Sequence, residues 1–167
     1  MHIWGDSNKS KIALLHPNFQ RVLNRYIEIS RHDSTIVEGL RTDEQCYINF
    51  GKGRTAAQCL AGGCPAKYAQ PSLAKVTWLG HALSSNHRKQ ADGWGHAADI
   101  YPYPVSLVLG RPDKEWLPIF KEMNEDMIQA AKDVGMAGKI RYGADWNGNN
   151  VLHERGETDN PHWEYVG

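Results

Sequence analysis

Apolar residues recur at helical spacing in two stretches of the chain. After His16-Pro17, residues Phe19, Val22, Leu23, Tyr26 and Ile27 fall on one face. Proline suits a first helical turn because the N–H it lacks would have no intrahelical partner there. The spacing predicts an amphipathic helix of about four turns. A longer helix is predicted from about Glu115 to Val134, with Trp116, Ile119, Phe120, Met123, Met127, Ala131 and Val134 as its stripe and Gly135 placed to end it. That stripe of Met and aromatic residues reads as a core face, not a cofactor pocket.

Strand-like runs are short. Ser34–Glu38 is β-branched and stops at Gly39; His96–Tyr101 stops before Pro102 and Pro104. Lys139–Gly143 and His162–Val166 read the same way. Thr42 followed by Gln45 has capping-box spacing, so a further helix is expected just after Arg41, leaving Arg41 at a strand-to-helix junction. From Gly51 to Asn86 the periodicity fades among Gly62-Gly63, Pro65 and Pro71, and the segment reads as a long loop with one strand, Lys75–Trp78. Helices at the front and strands mixed with helices behind predict an α+β domain, a small antiparallel sheet with flanking helices. No repeat or linker divides residues 1–167, and a single domain is expected.

Charge narrows the partners. The chain has 167 residues with 19 Lys+Arg against 19 Asp+Glu. A neutral balance gives no electrostatic reason to expect nucleic acid or an acidic membrane surface. At this length folding buries about 70% of the extended chain's surface, so no structural metal or disulfide is required. No apolar run approaches the roughly 18 residues of a membrane span, and the first residues lack a signal-peptide layout, so neither membrane insertion nor export by a leader is expected. Cys46, Cys59 and Cys64 are odd in number, which fits a reducing compartment. Cys59 and Cys64 could pair in an oxidising setting, or act as a weak pair of zinc ligands.

Eight His in a neutral chain raise the question of metal binding. Three places combine metal-competent side chains with tight turns: Ser85-Asn86-His87, Gly95-His96-Ala97-Ala98-Asp99 and Asp159-Asn160-Pro161-His162. Catalytic zinc takes about three N or O ligands and keeps one position open for water. His87, Asp99 and His162 can supply the ligands and Asp159 the base, with Pro161 stiffening the backbone between base and ligand.

In combination, Ser85-x-His87, Gly95-x-Ala97-x-Asp99 and Asp159-x-Pro161-His162, preceded by Glu38-Gly39-Leu40-Arg41-Thr42 and Gln45, resemble the D-alanyl-D-alanine carboxypeptidase-like zinc peptidases. Within that family the chain is most similar to the L-alanyl-D-glutamate endopeptidases used as phage endolysins. Supporting pieces are His16-Pro17, Gly53-Arg54-Thr55, Val76-Thr77-Trp78 and Ile140-Arg141-Tyr142-Gly143-Ala144-Asp145-Trp146. Together they reach from about residue 16 to the C-terminus.

The resemblance implies a Zn2+ cofactor at the sheet cleft, with His87, Asp99 and His162 as ligands, Asp159 as general base and Arg41 facing the carbonyl oxygen or a substrate carboxylate. Asp145 and Trp146 would border the substrate, and Glu164, alternating with His162, could orient that ligand. The implied activity is hydrolysis of the L-alanyl-D-glutamate bond of peptidoglycan stem peptides by an activated water. The alternatives are a D-alanyl-D-alanine carboxypeptidase or dipeptidase and a non-catalytic wall-binding phage module. A monomer held in the cytoplasm of the infected cell, released to the wall by a holin-type permeabilising partner, is the setting such an endolysin would have.

Two features depart from the family pattern. Seven residues, Arg88 to Trp94, separate His87 from Gly95 where the family has two, which reads as a loop insertion. His96 is the rival ligand, disfavoured because three residues along a strand point His96 and Asp99 to opposite faces. The stretch from Ala56 to Ala74 is also longer than usual, either a lid or tolerated surface.

Overall fold

The computed structural model describes residues 1–167. They form two compact units, one of residues 1–40 with 96–167 and one of residues 41–95.

The first unit carries an antiparallel sheet. Its strands are β1 (Ser34–Glu38), β2 (Ala97–Pro102), β3 (Ile140–Tyr142) and β4 (His162–Tyr165), in the order β1-β2-β4-β3. The helices of this unit are α1 (Asp6–Ile12), α2 (Pro17–Ile29) and α5 (Asp113–Asp133). The expected face of α2 is buried, from Phe19 to Ile27, and His16 caps the helix by accepting the Asn18 N–H. From α5 come Phe120, Met123, Met127, Ala130 and Ala131, packed in one core with Ile36, Ile100 and Trp163. Trp163 stacks on Tyr142 at 4.8 Å, and its indole N–H donates to Asn124 Oδ1. An aromatic of this size adds area and fixes geometry together. The α+β reading therefore holds.

Helix α1 went unpredicted because it is only seven residues long and buries just Ile12, too little for a periodic signal. A bulge between Ile36 and Glu38 leaves Val37 exposed where β1 ends.

The second unit holds α3 (Asp43–Gly51) and α4 (Ala56–Ala61) around a small cluster of Phe50, Cys59, Cys64 and Ala82. Thr42 caps α3 by accepting the Gln45 N–H, as its spacing predicts, but Gln45 bonds Asn49 instead of completing a capping box. The full box lies at Thr55 and Gln58, opening a helix in what reads from sequence as loop. Lys75–Trp78 is not a strand. Its β-branched residues find no neighbouring strand; instead Arg54, itself buried, donates to the carbonyls of Thr77 and Phe50 and lies over the Phe50 ring. A guanidinium here does the backbone pairing that a strand would otherwise do.

Candidate active site

Asp99 on β2 and His162 on β4 are direct partners in the antiparallel ladder. Opposed residues on neighbouring strands bring their Cβ atoms to about 5 Å, so the register alone makes these side chains meet. His162 Nδ1 lies 3.2 Å from Asp99 Oδ1, and His162 Nε2 lies 3.0 Å from Glu164 Oε2. Glu164 is two residues along the same strand and so on the same face. It is buried, and its other oxygen accepts from Arg141, its ladder partner on β3. A chain of contacts thus runs Arg141–Glu164–His162–Asp99 across three strands.

The electrostatics follow from this chain. Burial of His162, 7% exposed, disfavours the imidazolium. The hydrogen bonds to Asp99 and Glu164, with the charges of Asp99 and Asp159, outweigh that and push its pKa up to about 9. Without a metal ion, His162 therefore carries a proton at neutral pH. A carboxylate on one ring nitrogen, with the other nitrogen aimed at a second carboxylate, is the setting in which histidines ligate metals.

Asp159 is exposed and stands three residues before His162, joined to it by the His162 N–H donating to the Asp159 carbonyl at 3.2 Å. Gly143 clamps both. Its N–H donates to the His162 carbonyl at 2.8 Å and its carbonyl accepts from the Asp159 N–H at 3.1 Å. A Cβ on Gly143 would sit 2.3 Å from the Asp159 carbonyl oxygen and 2.9 Å from His162 Cβ. Only glycine permits this approach.

Trp146 places its ring 5.2 Å from that of His162, with the Arg141 guanidinium 5.4 Å from the indole. Asp145 is used differently. It is buried, and its two oxygens accept the N–H groups of Asn149 and Asn150, folding the loop that follows. Trp146 thus borders His162, while the Asp145 carboxylate shapes the backbone.

In the 41–95 unit, Arg41 and His87 are tied together. The Arg41 N–H donates to the His87 carbonyl at 2.8 Å, and Arg41 Nη1 donates to Ser85 Oγ at 3.3 Å. Ser85 Oγ also accepts the His87 N–H. The Ser-x-His spacing therefore has a local purpose, since one buried hydroxyl orients both the cation and the histidine. His87 is 3% exposed. The 88–94 segment folds back on itself as a tight loop, with Gln90 and Trp94 bonded through backbone and a Lys89–Gly95 bridge at its base.

His96 belongs elsewhere. Its ring packs edge-on against His16 and Tyr165, at 5.3 and 5.8 Å, while Asp99 faces His162. Of the remaining histidines, His16 and His81 cap backbone N–H groups, His32 pairs with Glu122, and His153 holds Asn160. Sequence reasoning missed Gly143 and Arg141 as organisers of the site. Arg141 had a signal: a cation on a strand able to lie opposite Glu164.

Comparison with known proteins converges on one group. The profile of the phage L-alanyl-D-glutamate peptidase family matches residues 69–166. The L-alanyl-D-glutamate peptidase of Escherichia phage T5 is 30% identical over 166 residues, covering 98% of this chain and 97% of that protein. Among solved structures, an L-Ala D-Glu endopeptidase of Serratia marcescens aligns over 98% of this chain and 89% of its own, with a TM-score of 0.56 and 18% identity, a likeness of fold.

Proposed function

The chain belongs to the phage L-alanyl-D-glutamate peptidase family, and from that premise we propose that it is a zinc-dependent endolysin cutting the L-alanyl-D-glutamate bond of peptidoglycan stem peptides. The observation that carries the zinc reading is the Asp99–His162 pair set by strand register, with Glu164 on the far nitrogen of His162.

His87, Asp99 and His162 are the proposed ligands, two imidazoles and a carboxylate, a donor set suited to catalytic zinc. Glu164 fixes the His162 ring through Nε2, which leaves Nδ1, the nitrogen facing Asp99, as the donor. When bound, the ion would polarise the scissile carbonyl and make a water acidic enough to attack near neutral pH. Asp159 takes the proton of the attacking water and returns it to the departing D-glutamate nitrogen. Arg41, oriented by Ser85, offers its guanidinium to the negative charge that develops on the carbonyl oxygen. Trp146 forms a wall of the substrate cleft, in a loop folded by Asp145.

We place the enzyme, as a monomer, in the infected cell until a holin-type partner opens the way to the wall. No helix is long and apolar enough to cross a membrane.

The test is digestion of purified peptidoglycan and of defined muropeptides. New L-alanine carboxyl termini and D-glutamate amino termini are expected. Asp159→Ala should lower the rate by about 10²–10⁴-fold with zinc content unchanged. Free D-alanine as the sole product would transfer the activity to the carboxypeptidase reading; wall binding without cleavage would transfer it to a binding module. Full activity in the Asp159 variant would overturn the assigned base.

A further inference from the structure

Helix α4 ends in a Schellman motif whose contact pair is two cysteines. The Cys64 N–H donates to the Cys59 carbonyl at 2.9 Å, the Gly63 N–H donates to the Leu60 carbonyl at 3.1 Å, and Gly63 supplies the left-handed turn with φ +71°. In this motif the residue after the glycine folds back on the residue three from the helix end, and an apolar contact between them is the usual seal. Here that contact joins the thiols of Cys59 and Cys64, 0% and 1% exposed. They lie near enough to hydrogen-bond to each other, and burial, with Cys59 beside it, pushes the Cys64 pKa up to about 11. Neither is in a disulfide, and nor is Cys46, which is buried on α3.

We infer that Cys59 and Cys64 are a redox-responsive pair that closes to a disulfide when the protein meets a small-molecule or protein disulfide. A disulfide needs its two Cβ atoms about 3.5–4.5 Å apart, and the backbone bonds of the motif bring the two residues together in one buried cluster before any oxidation, with the Cys64 thiol also directed at the Tyr47 carbonyl at 3.5 Å. The step balances as an exchange. One cysteine, as thiolate, attacks the oxidant's disulfide and releases one reduced thiol. The second cysteine then displaces the other half, giving the Cys59–Cys64 bond, two reduced thiols and an oxidant reduced by two electrons.

Burial and the raised Cys64 pKa make the first attack slow in the closed state. Access comes through opening of α4, a helix of only six residues. The bond would staple the C-terminal end of α4 to the chain beyond it, within the unit that carries Arg41 and His87. Its biological setting depends on the reading above, since an enzyme that acts on the wall leaves the reducing cytosol for a compartment that sustains disulfides. The chemistry of the pair does not depend on that reading.

The test uses the reduced full-length protein in anaerobic glutathione buffers of increasing oxidised fraction, with and without urea below the unfolding transition. Thiols are trapped by alkylation, followed by intact mass and tryptic mapping. The expected result is loss of two thiols together, a Thr55–Lys67 peptide lighter by two hydrogens, and Cys46 fully alkylated. Closing so short a loop should lower the unfolding equilibrium constant about 40-fold relative to the reduced protein. That difference should vanish in Cys59→Ala/Cys64→Ala, and Cys59→Ala alone should give only a mixed disulfide on Cys64. Three thiols still alkylated at the most oxidising ratio in urea would overturn the inference. Pairing through Cys46, or mixed disulfides alone in the unsubstituted protein, would overturn it equally. None of these readouts uses hydrolytic activity, so failure here leaves the peptidase reading untouched, and the converse.

Discussion

In the sheet-bearing unit, Asp99 and His162 meet because two strands pair in one register, and Glu164 follows from the period of two. In the 41–95 unit, Arg41 and His87 are held by a different device, polar side chains bonded to main chain: Ser85 under both residues, and Arg54 under a segment that looks like a strand and is not. The first arrangement spreads its specification over repeating backbone bonds. The second concentrates it in a few side chains, so single substitutions there remove whole supports.

The largest effect should come from breaking the first arrangement at its one point of zero tolerance. Gly143→Ala drives a side-chain methyl into the backbone carbonyl of Asp159 and should cost about 3 kcal/mol or more. Urea unfolding measures it; a loss below about 1 kcal/mol would mean that the backbone around Asp159 yields and the clamp is loose.

Next comes the pH dependence of the metal-free protein. In the folded chain the His162 pKa is pushed up to about 9, above the ordinary imidazole value of 6.5. The folded state then holds the proton more tightly than the unfolded state, so the stabilisation is complete below about pH 6.5 and is lost as pH rises through 9. Summed over that window the loss is at most about 3 kcal/mol. Glu164→Gln, which removes one of the groups raising the pKa, should narrow the window. Stability that rises from pH 7 to 9 in the presence of a chelator would contradict the assignment. Zinc added near pH 7.5 should release about one proton per ion.

In the other unit, Arg54→Met keeps length and removes the donors, leaving the Phe50 and Thr77 carbonyls short of partners. The expected loss is about 2 kcal/mol, read by the same unfolding curve. An unchanged midpoint would show that the 75–79 segment needs no such anchor. Smallest is Thr55→Ala, which deletes the capping box of α4 at about 1 kcal/mol. Thermal melting checks it against the equivalent Thr42→Ala, which lacks the reciprocal half of the box and should cost less.

The same contrast explains what the sequence disclosed. The faces of α2 and α5 and the β-branched run of β1 were readable because burial imposes a period. So were Asp99 and His162, each at the end of a short motif on a strand. Glu164 was readable by alternation. Helix α4 was hidden because six residues with one buried side chain carry no period, although Thr55 and Gln58 spell out its cap. The 75–78 run misled because β-branched residues report strand propensity while saying nothing of a partner strand, and here the partner is a guanidinium. Gly143 was invisible as a site residue because what it contributes is the lack of a side chain.

The ladder between β2 and β4 also sets where this chain tolerates changes in length. Because Asp99 and His162 are opposed residues, one residue added or removed within Ala97–Asp99 or His162–Glu164 would turn every following side chain to the other face and carry a proposed ligand away from its partner. Residues added to the 88–94 loop shift no ladder position, since that loop closes on its own Lys89–Gly95 bridge. A residue inserted before His96 is therefore expected to leave the Asp99–His162 pairing in place, while one inserted inside either strand is expected to break it.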